Sequence, residues 1–365
     1  GPVNVIEDPG QDSSQGLLSK IMPAFTWAKP TLKALFLYSR LPEHSDWVLG
    51  HEKGRQEAQL RLSDRLESDY AVCRSDEETE EIMRSAIDNG TNVFFATAAQ
   101  MMNSCLKVAI DNPQAAILNC SLNVSHRYIR TYYPRMYEAK FISGAIAGAM
   151  CTNGRIGYIN NYPVFGNIAE VNAFARGVQL SNSHAKVYLE WADSFEELRN
   201  KAQELISQGI SLISVRNVSQ NEDTEKELSG LQLVENGEVR KLVTPVYNWG
   251  NYYEQLIRGI LDGSFKAQEA KSSKSLNYYW GMSSGVVGIE FSETLPMGSR
   301  YLGELIRKAI RMGVCRPFYD PDLNENGELE WHNVKASKSM EEIIGMDTLE
   351  YNIEGSIPKY EELTD

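Results

Sequence analysis

One phrase is written twice in this chain of 365 residues, and it constrains the fold more than any other feature. Lys33 to Leu37 (KALFL) and Arg155 to Ile159 (RIGYI) each read as a short buried strand followed by a loop and a helical pattern. About forty residues after each, Ser75-Asp76-Glu77-Glu78 and Ser194-Phe195-Glu196-Glu197 spell a capping box. In that motif the serine side chain accepts from the N3 amide and the glutamate reaches back to the serine amide. The helices so opened place Ile82, Met83, Ala86 and Ile87, and Leu198, Ala202, Leu205 and Ile206, on one face. Each stops at a glycine of the C-cap type, Gly90 or Gly209, fifteen residues after its serine. Each then enters a strand, Val93-Phe94-Phe95 or Leu212 to Val215.

Strands alternating with helices of this length imply parallel sheets covered on both faces. βα units also recur by chance in α/β enzymes, but the shared spacing of cap and terminal glycine favours two similar lobes. The length agrees, being too great for one ordinary core. The expected fold class is therefore α/β, with two similar lobes, each a parallel sheet with helices on both faces, joined by a three-segment hinge. The chain should cross between lobes near residues 122 to 137, 240 to 245 and 265 to 277. Lobe 1 is expected over 32–126 and 243–270, and lobe 2 over 127–242 and 271–365 with a C-terminal extension. Gly1-Pro2 reads as a tag scar, and residues 3 to 30 read as a linker.

The net charge of -13 opposes a phosphate backbone, and no basic stripe interleaved with aromatics offsets it, so nucleic acid is not an expected partner of this segment. Cys73, Cys105, Cys120, Cys151 and Cys315 are odd in number and irregularly spaced, which reads as buried or free thiols and points to a reducing compartment or an anaerobe. The apolar run Phe141 to Met150 falls short of the ~18 to 20 residues a membrane-spanning helix needs. Motifs for a serine nucleophile, a phosphate cradle, a dinucleotide turn and a zinc pair do not occur, so neither catalysis nor a cofactor is expected. Asp322 to Gly327 matches the first six positions of a calcium loop, but the twelfth is Asn333. A turn at Asn326-Gly327 between two short strands is expected instead, and no metal.

In open parallel sheets ligands lie beyond the carboxyl ends of the strands, and aromatics recur at those positions here. Asp46-Trp47 follows the first strand; Trp191 and Phe195 follow Lys186 to Leu189; Trp249 follows Val243 to Tyr247. Flat rings at several strand ends together suit a flat ligand that stacks, although each ring alone is better explained by packing. Asn172, with an amide that both donates and accepts, and Tyr137 are candidates to read the ligand's edges. Pro163 to Asn167 precedes a helix whose free amides suit a ligand oxygen. His51-Glu52 sits near the proposed cleft, on a helix surface or behind the ligand contacts. Met136 to Met150, rich in glycine and alanine, is expected to pack in the core.

Asp46-Trp47 with His51 to Arg55, Tyr137 to Gly148, Gly154 to Tyr158, Asn172 to Gly177, Trp191 to Phe195, Asn248 to Tyr253 with Leu261-Asp262-Gly263, and Trp280 to Val286 together form a recognisable order. From about Leu32 almost to the end, the chain resembles the BMP family, the basic membrane lipoprotein or PnrA-like solute-binding proteins. The resemblance implies a periplasmic-binding-protein type I fold, ligand capture between the lobes, and a purine base or nucleoside as cargo of an ABC importer. It implies a transporter permease as partner and no catalysis. The ribose-side Asp-x-Asp-Gln pattern of nucleoside binders is absent near Val215 to Gln220, which points to a free base such as adenine.

The expected ligand contacts are Asp46, Trp47, Tyr137, Asn172, Trp191, Phe195 and Trp249. Two other functions stay open: a cytoplasmic ligand-sensing module behind an upstream domain, and a nucleoside-processing enzyme using Asp46 or Glu52. Localisation divides in the same way, membrane-anchored and extracytoplasmic by resemblance, cytoplasmic by the cysteines and the linker-like start.

Overall fold

The computed structural model describes residues 4–9, 31–122, 126–161, 167–219, 228–271, 275–319, 322–323, 326, 329–330 and 337–359. In chain order the elements are β1 (Leu32–Tyr38), α1 (Asp46–Arg61), β2 (Leu66–Val72), α2 (Asp76–Asp88), β3 (Val93–Ala96), α3 (Met102–Asp111), β4 (Ala116–Cys120), β5 (Arg130–Tyr132), α4 (Tyr137–Met150) and β6 (Arg155–Asn161). There follow α5 (Asn167–Ser181), β7 (Lys186–Ala192), α6 (Phe195–Ser207), β8 (Leu212–Ser214), β9 (Val218–Ser219), β10 (Leu231–Glu235), β11 (Glu238–Tyr247), α7 (Trp249–Leu261) and α8 (Ser264–Lys271). The last are β12 (Asn277–Tyr278), β13 (Val287–Phe291), α9 (Met297–Arg311), β14 (Asp322–Leu323), β15 (Leu329–Glu330), α10 (Met340–Ile344) and β16 (Ile353–Glu354).

The chain divides into two compact units. The first holds Gly1–Pro134, Ser219–Glu222 and Tyr247–Val286; the second holds Arg135–Val218, Asp223–Val246 and Val287–Asp365. The first unit's sheet runs β12-β5-β4-β3-β1-β2, parallel throughout. Phe36, Leu37 and Tyr38 of β1 and all of β3 are buried, as strands with helices on both faces must be. Residues 271–286, expected in the second lobe, lie in the first unit because β12 pairs with β5.

Residues 4 to 8, expected as linker, instead complete the edge of this sheet. Ile6 N donates to Asn277 O at 2.9 Å and Asn277 N to Asn4 O at 3.1 Å. Trp280 Nε1 donates to Ile6 O at 3.1 Å, and Gly281 N to the Asp8 carboxylate at 3.0 Å. An edge strand as short as β12 leaves main-chain groups open, and this segment satisfies them.

The second unit's sheet runs β13-β11-β10-β8-β6-β7-β16. Its β8-β6-β7-β16 portion is parallel, while β10 pairs antiparallel with both β8 and β11. The β10–β11 turn is Asn236-Gly237, both at positive φ, the conformation a two-residue hairpin loop requires. Behind the sheet α4 is buried along nearly its whole length, and it lies against α5. A Cβ on Gly144 would stand 1.9 Å from Phe174 O, and one on Gly177 2.1 Å from Phe141 O. The small residues of Met136 to Met150 therefore serve close helix packing, as expected.

Both duplicated helices start and stop where their spacing predicts. Ser75 Oγ accepts from Glu78 N and Ser194 Oγ from Glu197 N, each at 3.1 Å, and Gly90 and Gly209 follow at positive φ. The reciprocal half of the expected capping box forms in neither helix; in the second, Glu197 accepts instead from Asp193 N at 3.1 Å. β14 and β15 pair antiparallel, while Gly327 of the turn expected between them lies outside the described residues.

Candidate functional site

In the first unit the site is built where β1 gives way to α1. Ser45 caps that helix, accepting from Val48 N at 3.3 Å, and this sets Asp46 in the first turn and Trp47 one residue on. Asp46 is exposed, and Trp47 keeps 36% of its surface open. The Trp47 indole is gripped through steep ring contacts: His51 at 4.8 Å and 73°, Trp249 at 5.4 Å and 86°, Tyr247 at 5.5 Å and 89°. Such T-shaped contacts set a partial positive ring edge against a negative face, so they fix orientation as well as area.

Below Trp47 the aromatic set is fully enclosed. Trp249 and Tyr253 are one helical turn apart on α7, as Trp47 and His51 are on α1, so two i,i+4 pairs interlock. His51 lies 4.0 Å from Trp249, and its Nδ1 shares a hydrogen bond of 2.5 Å with Tyr253 Oη, which meets Tyr132 Oη at 2.8 Å. Burial pushes the His51 pKa down to about 3, so the imidazole is neutral at ordinary pH. His51 Nε2 and Trp249 Nε1 have no hydrogen-bond partner among the described residues. The two helices approach this closely because of Gly54: a Cβ there would stand 2.6 Å from Trp249 Cβ. His51 is thus behind the exposed ring, not on a helix surface. Glu52 is buried as well, accepting from Tyr38 Oη at 3.1 Å and paired with Arg55.

Sequence reading missed His51, Tyr253, Tyr247 and Tyr132 as one cluster, although the i,i+4 aromatic spacing on both helices was available. It also passed over Asn119, a polar residue in the apolar strand β4. Asn119 is buried near that strand's carboxyl end and donates to Ala96 O and Ala98 O, and its own Oδ1 has no partner among the described residues.

The second unit holds the other four predicted residues, in separate surroundings. Trp191, in β7, and Phe195, which opens α6, stand close together in the chain at the carboxyl end of that strand. Trp191 is half-buried and its Nε1 donates to Ser356 O at 2.8 Å; Phe195 is partly exposed, with Arg199 over its ring at 4.5 Å. Tyr137 is buried against Phe318 at 5.2 Å. Asn172 is buried too, and its amide is used internally: Nδ2 donates to Thr348 O at 2.8 Å and Oδ1 accepts from Glu350 N at 2.9 Å. Residues 163 to 166 lie outside the described residues. Beside these, Lys140 donates to Val215 O at 3.4 Å and Glu170 accepts from Asn217 at 3.0 Å. Burial lowers the Lys140 pKa and raises that of Glu170, and each charge partly offsets the other's shift.

A family model, described as ABC transporter substrate-binding protein PnrA-like, matches residues 45–311. The chain belongs to this family. It is 25% identical to a purine-binding protein of Brucella abortus, over 91% of this chain and 95% of the relative. Among solved structures it resembles a transcriptional activator of the comK gene from Bacillus halodurans, with a TM-score of 0.61, 16% identity, and coverage of 77% and 98% of the two chains. A solute-binding protein of an ABC transporter system from Aeropyrum pernix gives a TM-score of 0.57 at 12% identity, covering 81% and 95%. These likenesses carry the type I periplasmic-binding-protein fold.

Membership makes the chain a solute-binding component of an ABC transporter, with a small molecule and a transporter permease as partners. The family match opens at Ser45, the cap of α1, and closes at Arg311, the last residue of α9. The exposed Trp47 and its supporting rings all fall inside it. The residues that occupy Asn172 and Trp191, Thr348, Glu350 and Ser356, fall outside.

Proposed function

We propose that this chain captures a planar purine, a free base rather than a nucleoside, and releases it unchanged as the solute-binding component of an ABC importer. The observation that carries this reading is the exposed indole of Trp47, held in one orientation by His51, Tyr247 and Trp249. A pre-oriented ring loses little freedom when a second ring stacks on it, which favours flat ligands over puckered ones. Asp46, exposed beside it, is an acceptor for the exocyclic amine or ring N–H of a base. The purine-binding relative supports the same ligand class. In this reading Trp249 supports the stacking ring, and Trp191, Phe195, Tyr137 and Asn172 are the second unit's residues to test in turn.

Isothermal calorimetry with adenine, guanine, adenosine, guanosine and inosine tests it. Heat with a base and weaker heat with its nucleoside is the expected result; no heat with any of the five overturns the purine reading. Overnight incubation with the bound compound, followed by chromatography, should return it intact. A changed product would make the chain an enzyme instead.

A further inference from the structure

Outside the site, α9 is apolar on two faces. Gly303, Ile306 and Ile310 turn inward, and Gly303 admits Phe291 and Ile146 so closely that a Cβ there would stand 2.7 Å and 2.9 Å from them. On the opposite face Met297 is 85% exposed and Tyr301 73%, and Leu305 and Met312 are exposed below them. At 100° per residue these four fall within an arc of roughly 80°, with Lys308 in the same arc. The stripe is about 22 Å long, and exposed Val314 extends it past the helix end. Single exposed apolar residues need no explanation, whereas an aligned series of large ones marks a surface that meets something.

The charges beside the stripe say what that is. Lys308, Arg311 and Arg316 are exposed and Arg300 is half-exposed; the helix's one acid, Glu304, is already paired with Arg307. This is a basic rim on a chain of net charge -13. A second copy docked through the same stripe would set Lys308 and Arg311 against their own counterparts, so like charges oppose self-association here. An anionic bilayer surface meets both features, since Met, Tyr and Leu enter the headgroup boundary while Lys and Arg meet the phosphates. Acids more than about 8 Å from the rim are largely screened from it at physiological salt.

We propose that the outer face of α9, centred on Tyr301 and Leu305 and rimmed by Lys308 and Arg311, docks in the plane of an anionic lipid surface. Flotation of the full chain with phosphatidylcholine vesicles, with and without about 30 mol % phosphatidylglycerol, tests it. Partitioning should rise at least about tenfold with phosphatidylglycerol and fall back in about 0.5 M salt. Two double variants, Tyr301→Ser with Leu305→Ser and Lys308→Glu with Arg311→Glu, should each lose that gain. Because the four side chains are exposed, both should keep the wild-type circular dichroism; if the first does not, Met297→Ser replaces it. Equal binding to both vesicle types, or unchanged binding by the charge-reversed variant, overturns the proposal. So does a wild-type dimer in sedimentation equilibrium that the serine variant dissolves, because the occupant would then be a second copy.

Discussion

His51 and Trp249 lie ring to ring at 4.0 Å inside the first unit, and the contact joins the helix that carries Trp47 to the helix that follows β11. An imidazolium there would be a buried cation with no acid among its ring and hydrogen-bond neighbours in the described residues, which are Trp47, Trp249 and Tyr253. The pair therefore works only as two neutral rings, and the exposed indole above them inherits its orientation from that neutrality.

Mild acid should weaken this unit through His51. Burial lowers the His51 pKa from 6.5 in the unfolded chain to about 3 in the folded one. Between those values the unfolded chain binds a proton that the folded chain does not, so stability is present above about pH 6.5 and is lost as pH falls, by about 1.4 kcal/mol per pH unit. Urea unfolding between about pH 7 and pH 5 should show a pH slope that differs by about one proton between the wild type and His51→Gln, a difference in which the opposing contribution of buried Glu170 cancels. An unchanged slope in the variant would mean that His51 does not titrate as its burial requires.

Removing Trp47 should separate binding from stability. The ring is partly exposed, so Trp47→Ala is expected to cost about 1 kcal/mol of stability while weakening purine binding at least about tenfold. Trp47→Phe, which keeps a flat face, should recover most of the affinity. Calorimetry and thermal melts on the three proteins give both readouts.

Glycine substitutions should change sign with their surroundings. A Cβ on Gly54 meets Trp249 Cβ at 2.6 Å and its backbone carbon at 2.9 Å, and one on Gly144 meets the Phe174 carbonyl at 1.9 Å. Neither neighbour can yield cheaply, so Gly54→Ala and Gly144→Ala should destabilise by about 1 to 3 kcal/mol or more. Gly298, in the first turn of α9, has nothing within 4 Å and no positive φ, so Gly298→Ala should stabilise by about 0.5 to 1 kcal/mol. Denaturation midpoints of the three variants check the contrast.

The doubled architecture was legible because its marks are local: Ser75 and Ser194 cap their own helices, and Gly90 and Gly209 end them. The antiparallel pair β10–β11 went unread although Asn236-Gly237 is a strong hairpin signal, because its flanks, Gln232 to Glu235 and Glu238 to Lys241, alternate too weakly to announce strands. Trp47 could be placed from β1 and the cap of α1. The ring contacts of His51 could not, since they depend on α7, about 200 residues away in the chain. Asn172 shows the same limit: its polarity was plain, but its partners come from a segment more than 170 residues later.

That segment yields the last prediction. Residues 346 to 356 run along α5 and β7: Arg176 pairs with Glu350 at 2.6 Å, Gln179 meets Asn352 at 3.0 Å, β16 pairs in parallel with β7, and Ser356 O takes the Trp191 N–H. Asn172 is the only one of these side chains that both donates to and accepts from the segment's main chain. Asn172→Ala would leave Thr348 O and Glu350 N without those part-buried bonds, at about 1 to 3 kcal/mol in all. Arg176→Met removes the ion pair with Glu350 while leaving the Asn172 bonds to Thr348 O and Glu350 N in place, and should cost less. Limited proteolysis should cut the Asn172→Ala chain between Gly345 and Ser356 much faster than the wild type or Arg176→Met. Equal cutting of all three would show that β16 pairing alone holds the segment in place.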